Sequence, residues 1–410
     1  MRIAVLAALV SFASASTAAA KQYTILVANK NTPAYEHAKK TKDDALVFAE
    51  RKLHKAFKRA GEILGDPARC ANNPQPSPYN KPRERNPIAD PCSVTIKVAA
   101  GEYVGKGGRG NFAMAPVWAP DATLRILGGY DATFKTRAPF ETKTVLPLGG
   151  TAIAFAGKRG LPAIGELYIS GFTFDGGNGN VYDGGTNSLL KGKSAKLPHI
   201  TFGYLRTNRL VLADNTFINS SQTAASPKVV ADTDAAKVII RNNLIMNNVM
   251  AWKADSASGK TLLSEYVLEN NSFIMNWPYN PDPTTSNPAA LEIGQRYAAK
   301  KVTIRGNIFA HNVGGAIFFT SASESSGPAT VEIKKNLFFN NGALFSETEP
   351  GASAAVAKFG GFKSRKIPWN TISVEYLEDD YDWDSEENQV FDPQVPITMV
   401  KPGFASSYDV

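Results

Sequence analysis

Residue types that commonly carry out catalysis or hold metal ions are scarce in this chain. Its 410 residues include only two cysteines and four histidines, and the histidines are scattered at His37, His54, His199 and His311. Two cysteines without a neighbouring histidine supply too few ligands for a structural metal site. The sequence also contains no zincin helix and no serine nucleophile elbow. We therefore expect no metal centre and no cofactor, and we leave open only a loosely held calcium ion, considered below.

Long hydrophobic runs are also absent. A membrane-spanning helix needs about 20 consecutive apolar residues, and no stretch of the sequence reaches that length. The N-terminal segment contains the positively charged Arg2, then a short apolar stretch at residues 3–12, and then small residues at 18–20 before Lys21. This order is typical of a secretory signal peptide with its cleavage site. No cysteine follows the predicted cleavage site, so no lipid anchor is expected. We predict that residues 1–20 are removed and that the protein is exported, to a periplasm or to the cell exterior, without a transmembrane segment.

The two cysteines, Cys70 and Cys92, enclose a segment rich in proline and asparagine. In an oxidising compartment they are expected to form a disulfide. Such a bond restrains the enclosed segment by about 3 kcal/mol in the chain-entropy model.

Charge of one sign is not in large excess. The formal net charge is +8, and it falls by one when Arg2 is removed with the signal peptide. An excess of this size favours anionic partners only weakly, and a solvated surface with additional lysines is the simpler explanation. We expect no nucleic acid among the partners, and the sequence does not indicate an oligomeric state.

One short phrase recurs across the middle of the chain. Each copy places an aliphatic residue three positions before an asparagine, and an aromatic residue or an isoleucine two positions after it. The asparagines of the five copies are Asn215, Asn243, Asn271, Asn307 and Asn336. Successive copies are 28, 28, 36 and 29 residues apart. A repeat of this length is typical of a solenoid.

Each copy of the phrase fits a strand, a tight bend and a second strand. Val238 and Ile240, for example, alternate with polar residues as a half-buried strand requires. Asparagine tolerates the left-handed backbone conformation of a tight bend, and its amide can bond to backbone groups of the coils above and below. We therefore predict that the five asparagines occupy the bends and stack in one internal row.

This pattern resembles the right-handed parallel β-helix of the pectin-lyase-like superfamily, in which an asparagine ladder marks the turn between the second and third strands. Residues 124–145 also resemble a stretch found in exported bacterial β-helix-repeat proteins of uncharacterised role. The resemblance implies an all-β fold, a right-handed parallel β-helix solenoid over residues 93–345. It indicates the fold far more than the activity, because fold and function separate in such families.

The flanks of this region are predicted to cover its ends. Apolar residues recur at three- and four-residue steps within residues 42–64, at Leu46, Ala49, Leu53, Phe57, Ala60 and Leu64. This spacing indicates one amphipathic helix, which we expect to plug the open apolar end of the first coil, although its basic face could instead bind a polyanion. Residues 21–92 would form this N-terminal cap. Residues 346–410 lack the repeated phrase and are expected to form a C-terminal cover with an acidic segment, without further coils.

The acidic segment near the C-terminus is a candidate calcium-binding site. Asp380, Asp382 and Asp384 alternate with aromatic residues and mimic the start of a calcium-binding loop. Ser385 stands where that loop needs glycine, and Phe391 stands where it needs glutamate. An EF-hand is therefore excluded. Two interpretations remain: a solvated acidic strand, which is the simpler one, and a looser calcium site.

The resemblance also implies where a binding groove would lie. In this architecture the exposed groove usually follows the first strand of each coil, upstream of the strand that ends in the ladder asparagine. Alternation along these strands points Lys253 and Glu292 outward from consecutive coils. Around this pair we expect further groove residues, some of them with rings that sugars could stack on, at Asp232, Asp255, Arg296, Tyr297, His311 and Phe318.

One function that such a groove could support is a polysaccharide lyase that acts on a uronate polymer by β-elimination. Lys253 or Arg296 would abstract the proton beside the sugar carboxylate, with a cation held on Asp232 and Glu292. A lysine base needs a lowered pKa, whereas carboxylate neighbours would raise it. The paired aspartates and His-Gly step of polygalacturonase-like enzymes, and the Asp-Pro-His-Glu run of epimerase-like enzymes, are absent.

Two classes of function therefore remain. One is an exported protein that acts on an acidic polysaccharide, either by binding it or, as the alternative, by cleaving it as a lyase. The other is a non-catalytic scaffold whose partner is an envelope protein. The missing catalytic motifs favour binding or a scaffold over catalysis.

Overall fold

The structure is a computed structural model. It describes residues 21–43, 45–72, 91–105, 112–147, 153–155, 163–177, 181–183, 188–191, 199–202, 205–220, 225–226, 229–231, 233–249, 251–254, 263–276, 290–294, 299–312, 316–320, 330–339, 341, 354–360, 363–368, 382–384 and 389–391. The predicted signal peptide, residues 1–20, lies outside the described residues.

The described part of the chain forms two helices and three large sheets. The helices are α1 (Pro33–Thr41) and α2 (Leu53–Leu64). Sheet 1 has 13 strands: β1 (Gln22–Val27), β2 (Val47–Glu50), β3 (Ser93–Ala99), β6 (Trp118–Tyr130), β9 (Ala163–Ser170), β14 (Leu205–Thr207), β15 (Arg209–Ala213), β18 (Val229–Ala231), β19 (Lys237–Arg241), β22 (Glu265–Glu269), β25 (Lys301–Arg305), β28 (Thr330–Lys334) and β32 (Asp382–Asp384).

Sheets 2 and 3 have nine strands each. Sheet 2 consists of β4 (Gly101–Glu102), β7 (Thr144–Pro147), β10 (Phe172–Asp175), β16 (Thr216–Ile218), β20 (Leu244–Met246), β23 (Ser272–Ile274), β26 (Ile308–Ala310), β29 (Leu337–Phe339) and β33 (Gln389–Phe391). Sheet 3 consists of β5 (Phe112–Met114), β8 (Ile153–Phe155), β13 (Ile200–Phe202), β17 (Ala225–Ser226), β21 (Trp252–Ala254), β24 (Leu291–Gly294), β27 (Ile317–Thr320), β30 (Ala354–Gly360) and β31 (Lys363–Pro368). A small antiparallel hairpin, β11 (Val181–Asp183) and β12 (Ser188–Lys191), is inserted between β10 and β13.

The chain passes repeatedly from sheet 1 to sheet 2 to sheet 3, and the strands of successive coils pair in parallel. The interior between the sheets is filled by side chains of equivalent positions stacked coil on coil. Phe174 and Phe217 stack at 4.8 Å between ring centroids, and Phe273, Phe309 and Phe338 continue the same row at 4.8 Å and 5.3 Å. The described part of the chain is therefore a parallel β-helix.

The predicted asparagine ladder lies at the turn from sheet 1 to sheet 2. All five asparagines are buried. Asn271 shows the bonding pattern: its Nδ2 donates to the Ile240 carbonyl oxygen (2.9 Å) and to Asn307 Oδ1 (3.0 Å), and its Oδ1 accepts from the backbone N (3.0 Å) and Nδ2 (2.9 Å) of Asn243. Each side chain thus binds both neighbouring coils. The prediction of one internal row is confirmed.

Contrary to the prediction from the sequence, the ladder asparagines do not themselves occupy the left-handed conformation. The residue before each one does, with φ between 53° and 63°, at Asp214, Asn242, Asn270, Gly306 and Lys335. This arrangement leaves the asparagine in ordinary backbone geometry with its amide turned inward. Gly171, also at positive φ, has the same role in the preceding coil, where Phe172 takes the ladder position and its backbone N donates to Asn215 Oδ1.

A second buried ladder, which the sequence analysis missed, lies at the turn from sheet 2 to sheet 3. Its members follow the first ladder by five residues, at Ser220, Asn248, Asn276, Asn312 and Asn341. Asn276 Nδ2 donates to the Ile245 carbonyl oxygen (2.9 Å) and to Asn312 Oδ1 (2.9 Å). Here too the preceding residue has positive φ, including Met275 and His311. The same turn is therefore used twice in each coil.

The N-terminal cap differs from the prediction of one helix over residues 42–64. Residues 47–50 form β2, which pairs with β1 at the edge of sheet 1, and Leu46 is exposed. Only α2 remains of the predicted helix, and α1 precedes β2. The inward face of α2, which includes Leu53, Phe57 and Leu64, is buried against the first coils, where the Phe57 ring lies 6.4 Å from that of Phe155. Pairing with β1 satisfies the backbone of residues 47–50, and this tertiary effect overrides the helical spacing.

Cys70 and Cys92 form the predicted disulfide, with their Cα atoms 5.2 Å apart. Both side chains are buried in the core cluster that also contains α2. The disulfide therefore joins the end of α2 to the start of the solenoid.

The solenoid continues past residue 345, where the sequence analysis expected it to stop. Strands β30, β32 and β33 pair in parallel with β27, β28 and β29. Residues 346–410 thus add one strand each to sheets 1 and 2, and two strands, β30 and β31, to sheet 3. The structure thus differs from the expectation of a cover without further coils. A sequence signal for this coil exists, because Asn388 immediately precedes β33 as Asn336 precedes β29.

The bonding of Asn271 generates a stability prediction. Substitution Asn271→Ala removes a side chain that satisfies Asn243 and the Ile240 carbonyl group, so it should lower the free energy of unfolding by about 1–3 kcal/mol. Chemical denaturation followed by circular dichroism measures this change.

The matched control is Ser272→Ala, the neighbouring residue, whose side chain is only half-buried. It should change the free energy of unfolding by less than about 0.5 kcal/mol. Equal effects of the two substitutions would contradict the ladder account.

Candidate functional site

Strands β21, β24 and β27 form the part of sheet 3 where the sequence analysis placed the groove. Register pairs Lys253 with Glu292 and Glu292 with Phe318 in consecutive coils. Trp252 and Leu291 beside them point into the core and are fully buried, and Trp252 Nε1 donates to the Tyr266 hydroxyl at 3.2 Å. The placement of Lys253 and Glu292 on the outward face of adjacent coils agrees with the prediction.

Lys253 and Glu292 form an ion pair. Lys253 Nζ lies 2.7 Å from Glu292 Oε1, and the two side chains are 31% and 5% exposed. The carboxylate is therefore buried, in contrast to the expectation that it faces solvent. Coil spacing of about 4.8 Å brings Lys253 close enough to engage it. Breaking such a pair leaves a buried charge without its counter-charge, which is strongly unfavourable.

The strand that precedes Asp232 in the sequence, β18, does not belong to sheet 3. Strand β18 pairs with β14 in sheet 1, and β17 occupies the position in sheet 3, where Ala225 pairs with Trp252. The expectation that Asp232 lies in the groove beside Lys253 and Glu292 therefore gains no support from β18 and stays a prediction. Asp232 itself lies outside the described residues.

The structure describes only some of the remaining predicted groove residues. Asp255, Arg296 and Tyr297 lie outside the described residues. Phe318 lies on β27, next to Glu292 in register, and its side chain is outside the description. The structure therefore brings together Lys253 and Glu292 and leaves the stacking residues as a prediction.

His311 lies at the turn between β26 and β27, at the edge of sheet 3. It takes the left-handed conformation with φ 55° and immediately precedes Asn312 of the second ladder. Burial lowers the pKa of its imidazole. His311 is therefore positioned by the turn that forms the second ladder.

The outward face of sheet 1 carries charges that are paired across coils. Lys237 lies 2.8 Å from Glu265, Lys301 lies 3.0 Å from Glu332, and Arg305 lies 2.6 Å from Glu269. The partners Lys237 and Glu265 are 28 residues apart, and Arg305 and Glu269 are 36 residues apart. Each of the three pairs joins neighbouring coils. Such exposed pairs contribute little to stability. They neutralise the charges of Lys237, Lys301 and Arg305 on this face.

Among the described residues, no three histidine, cysteine, aspartate or glutamate side chains come together as a metal site requires. Asp382 and Asp384 lie on β32, and their side chains are outside the description, as is all of Asp380. Neither of the described helices has the length and apolar character that a membrane span requires.

Comparison with known proteins defines the class. Residues 165–355 match the family model described as right handed beta helix region. No curated protein and no solved structure matches the chain. Residues 165–355 are therefore a right-handed β-helix region, and the structure extends the same parallel coils on both sides of it. The predicted all-β fold, a right-handed parallel β-helix solenoid with an N-terminal capping helix, is confirmed.

His199 is the one fully buried histidine among the described residues. It lies just before β13 and packs beside the stacked rings of Phe174 and Phe217, each 6.0 Å from its imidazole centroid. Neither ring nitrogen has a hydrogen bond of normal geometry within the described structure. Burial lowers the pKa of His199 to about 3, and the neighbouring Ile218 carbonyl group and Asn248 side chain oppose this shift without reversing it. The imidazole is therefore a neutral core residue.

The lowered pKa of His199 predicts acid sensitivity. The unfolded chain binds a proton at His199 below about pH 6.5, whereas the folded protein binds it only near pH 3. Stability is therefore complete above pH 6.5 and should fall by up to about 1.4 kcal/mol for each pH unit below it. Denaturation at pH 7, 6 and 5 tests this expectation before most carboxylates titrate.

The variant His199→Phe removes the titrating group from an aromatic cluster and should flatten the loss of stability between pH 6.5 and 5. His311→Asn serves as the comparison, because asparagine keeps the left-handed conformation and the burial of His311 is only partial. If His199→Phe has the same pH dependence as the wild type, His199 is not the acid-sensitive group.

Proposed function

We propose that this protein is an exported, non-catalytic β-helix that binds an acidic polysaccharide. The observation that carries the proposal is the contact between Lys253 and Glu292 at 2.7 Å. A lyase needs a free base that faces the sugar. Here the buried carboxylate of Glu292 binds Lys253, the central lysine of the expected groove. Lys253 could therefore act as a base only after this ion pair breaks.

The chemistry of the described surface supports binding over turnover. A solenoid offers an extended surface that follows a polymer along many coils. The overall positive charge favours an acidic polymer over a neutral one.

Export is part of the proposal. The N-terminal sequence has the form of a signal peptide, and the Cys70–Cys92 disulfide fits an oxidising compartment. The expected polysaccharide is therefore one met outside the cytoplasm.

The proposal predicts binding without turnover. Mature protein incubated with alginate, pectate and a glycosaminoglycan should bind at least one of them. It should release no unsaturated uronate, which is detected by its ultraviolet absorbance. Binding should weaken as salt rises, since exposed charges are screened within about 10 Å at 0.1 M ionic strength.

Variants identify the source of any activity. Lys253→Ala is compared with Lys301→Ala, which removes one paired lysine from sheet 1. Robust formation of double bonds that Lys253→Ala abolishes and Lys301→Ala keeps would overturn the proposal and make the protein a polysaccharide lyase. Absence of both binding and turnover would overturn it in favour of a scaffold with an envelope protein as partner.

A further inference from the structure

The N-terminal cap contains a small doubly wound unit that precedes the coils. The order β1, α1, β2, α2, β3 produces three parallel strands in the spatial order β2-β1-β3. Helix α1 packs with Leu26 and Ala28 on one face of β1, and α2 packs with Ile25 and Val27 on the other. The connection through α1 runs from β1 to β2 on one side of it, and the connection through α2 returns from β2 to β3 on the other side of β1. In open sheets with helices on both faces, ligands bind outside the carboxyl ends of the strands at this kind of switch point.

A cleft lies at these strand ends. It has a volume of about 440 Å³, within the range of about 300–1,000 Å³ that is usual for small-molecule sites. Its lining comes from the segments that follow β1, β2 and β4, namely Asn29, Lys30, Arg51, Lys52, Leu53, Glu102, Tyr103 and Val104. We name it the cap cleft.

The cap cleft is positively charged. Three cations, Lys30, Arg51 and Lys52, line it against one carboxylate, Glu102. None of the three cations makes an ion pair within the described part of the chain. Three nearby basic residues that do not line the cleft are paired: Lys39 with Glu36, Lys58 with Glu62 and Arg59 with Glu50. The cleft therefore brings together three cations that no carboxylate of the described chain neutralises.

The start of α2 adds to the same field. Lys52 is the N-cap residue, and no side chain caps the helix there. The first backbone N–H groups of α2 and the positive end of its dipole therefore face the cleft without a built-in anion.

The walls of the cleft are fixed by hydrogen bonds. Asn29 Nδ2 donates to the Glu102 carbonyl oxygen at 3.0 Å and ties the segment after β1 to β4. Thr32 Oγ1 donates to the Asn29 carbonyl oxygen at 2.7 Å, and the buried Tyr103 hydroxyl donates to the Ala99 carbonyl oxygen at 2.9 Å. A preformed cleft loses little conformational entropy when a ligand binds.

We propose that the cap cleft binds the anionic group of an acidic glycan, a carboxylate or a sulfate. Arg51 supplies a planar guanidinium that can hold such a group through two hydrogen bonds, while Lys30 and Lys52 contribute point charges. Glu102 can accept hydrogen bonds from sugar hydroxyl groups. This inference rests on the proposed function and deepens it by moving the binding site from sheet 3 to the cap.

Binding measured by calorimetry with short pectate oligomers and a sulfated glycosaminoglycan tests the site. The double variant Arg51→Ala with Lys52→Ala should weaken the affinity for at least one of these probes by about tenfold or more, because it removes charge-assisted hydrogen bonds. The matched control, Lys39→Ala with Lys40→Ala, removes the same charge at the far end of α1, about 13 Å along the helix axis. It should change the affinity by less than about twofold.

The outcomes separate this inference from the proposed function. Glycan binding that survives the cleft variant, or that both double variants weaken equally, overturns the cap cleft and leaves glycan binding in place. Absence of binding to every acidic glycan overturns both. Unfolding midpoints of the two double variants should match the wild type, since all four side chains are on the surface, and this excludes misfolding as the cause of a lost affinity.

Discussion

The need to satisfy buried backbone groups at every turn is the constraint on which this fold depends. A tight turn inside a stack of coils removes N–H and C=O groups from water, and an unpaired buried group costs about 1–3 kcal/mol. The two asparagine ladders meet this requirement, because each amide bonds to the coil before it and the coil after it, as Asn271 and Asn276 do. The ladders fix the register of all three sheets. That register in turn stacks the aromatic core and sets opposite charges side by side on the outer face of sheet 1.

The parts of the structure that repeat were predictable from sequence, and the parts that do not repeat were not. Five copies of one phrase are sufficient to identify the solenoid and the first ladder. The second ladder had an equally regular signal, since Asn248, Asn276 and Asn312 each follow a first-ladder asparagine by five residues. The bend residue was assigned one position late, because asparagine favours the left-handed conformation in general, while here residues as different as Lys335 and Met275 adopt it.

The groove and the cap show why the rest was harder to predict. The number of residues between coils varies, so distance from the ladder does not determine the sheet in which a residue lies. Strand β18, just before Asp232, lies in sheet 1. Burial of Glu292 depends on neighbouring coils and has no signature in its own strand. In the cap, helical spacing across residues 42–64 concealed the short strand β2, which pairing with β1 stabilises. The sequence indicated a basic face within residues 42–64 that could bind a polyanion. It did not indicate the cap cleft, because the β2-β1-β3 order is what brings Arg51 and Lys52 next to Lys30.

The account of function depends on whether the pair of Lys253 and Glu292 is structural. A double-mutant cycle with Lys253→Met and Glu292→Leu, followed by the free energy of unfolding, measures this most directly. The account predicts that Lys253→Met alone costs roughly 2–4 kcal/mol, because it leaves a buried carboxylate unpaired, and that the double variant costs less than this single variant. Additive, small effects on stability, together with loss of a polysaccharide lyase activity in Lys253→Met, would contradict it.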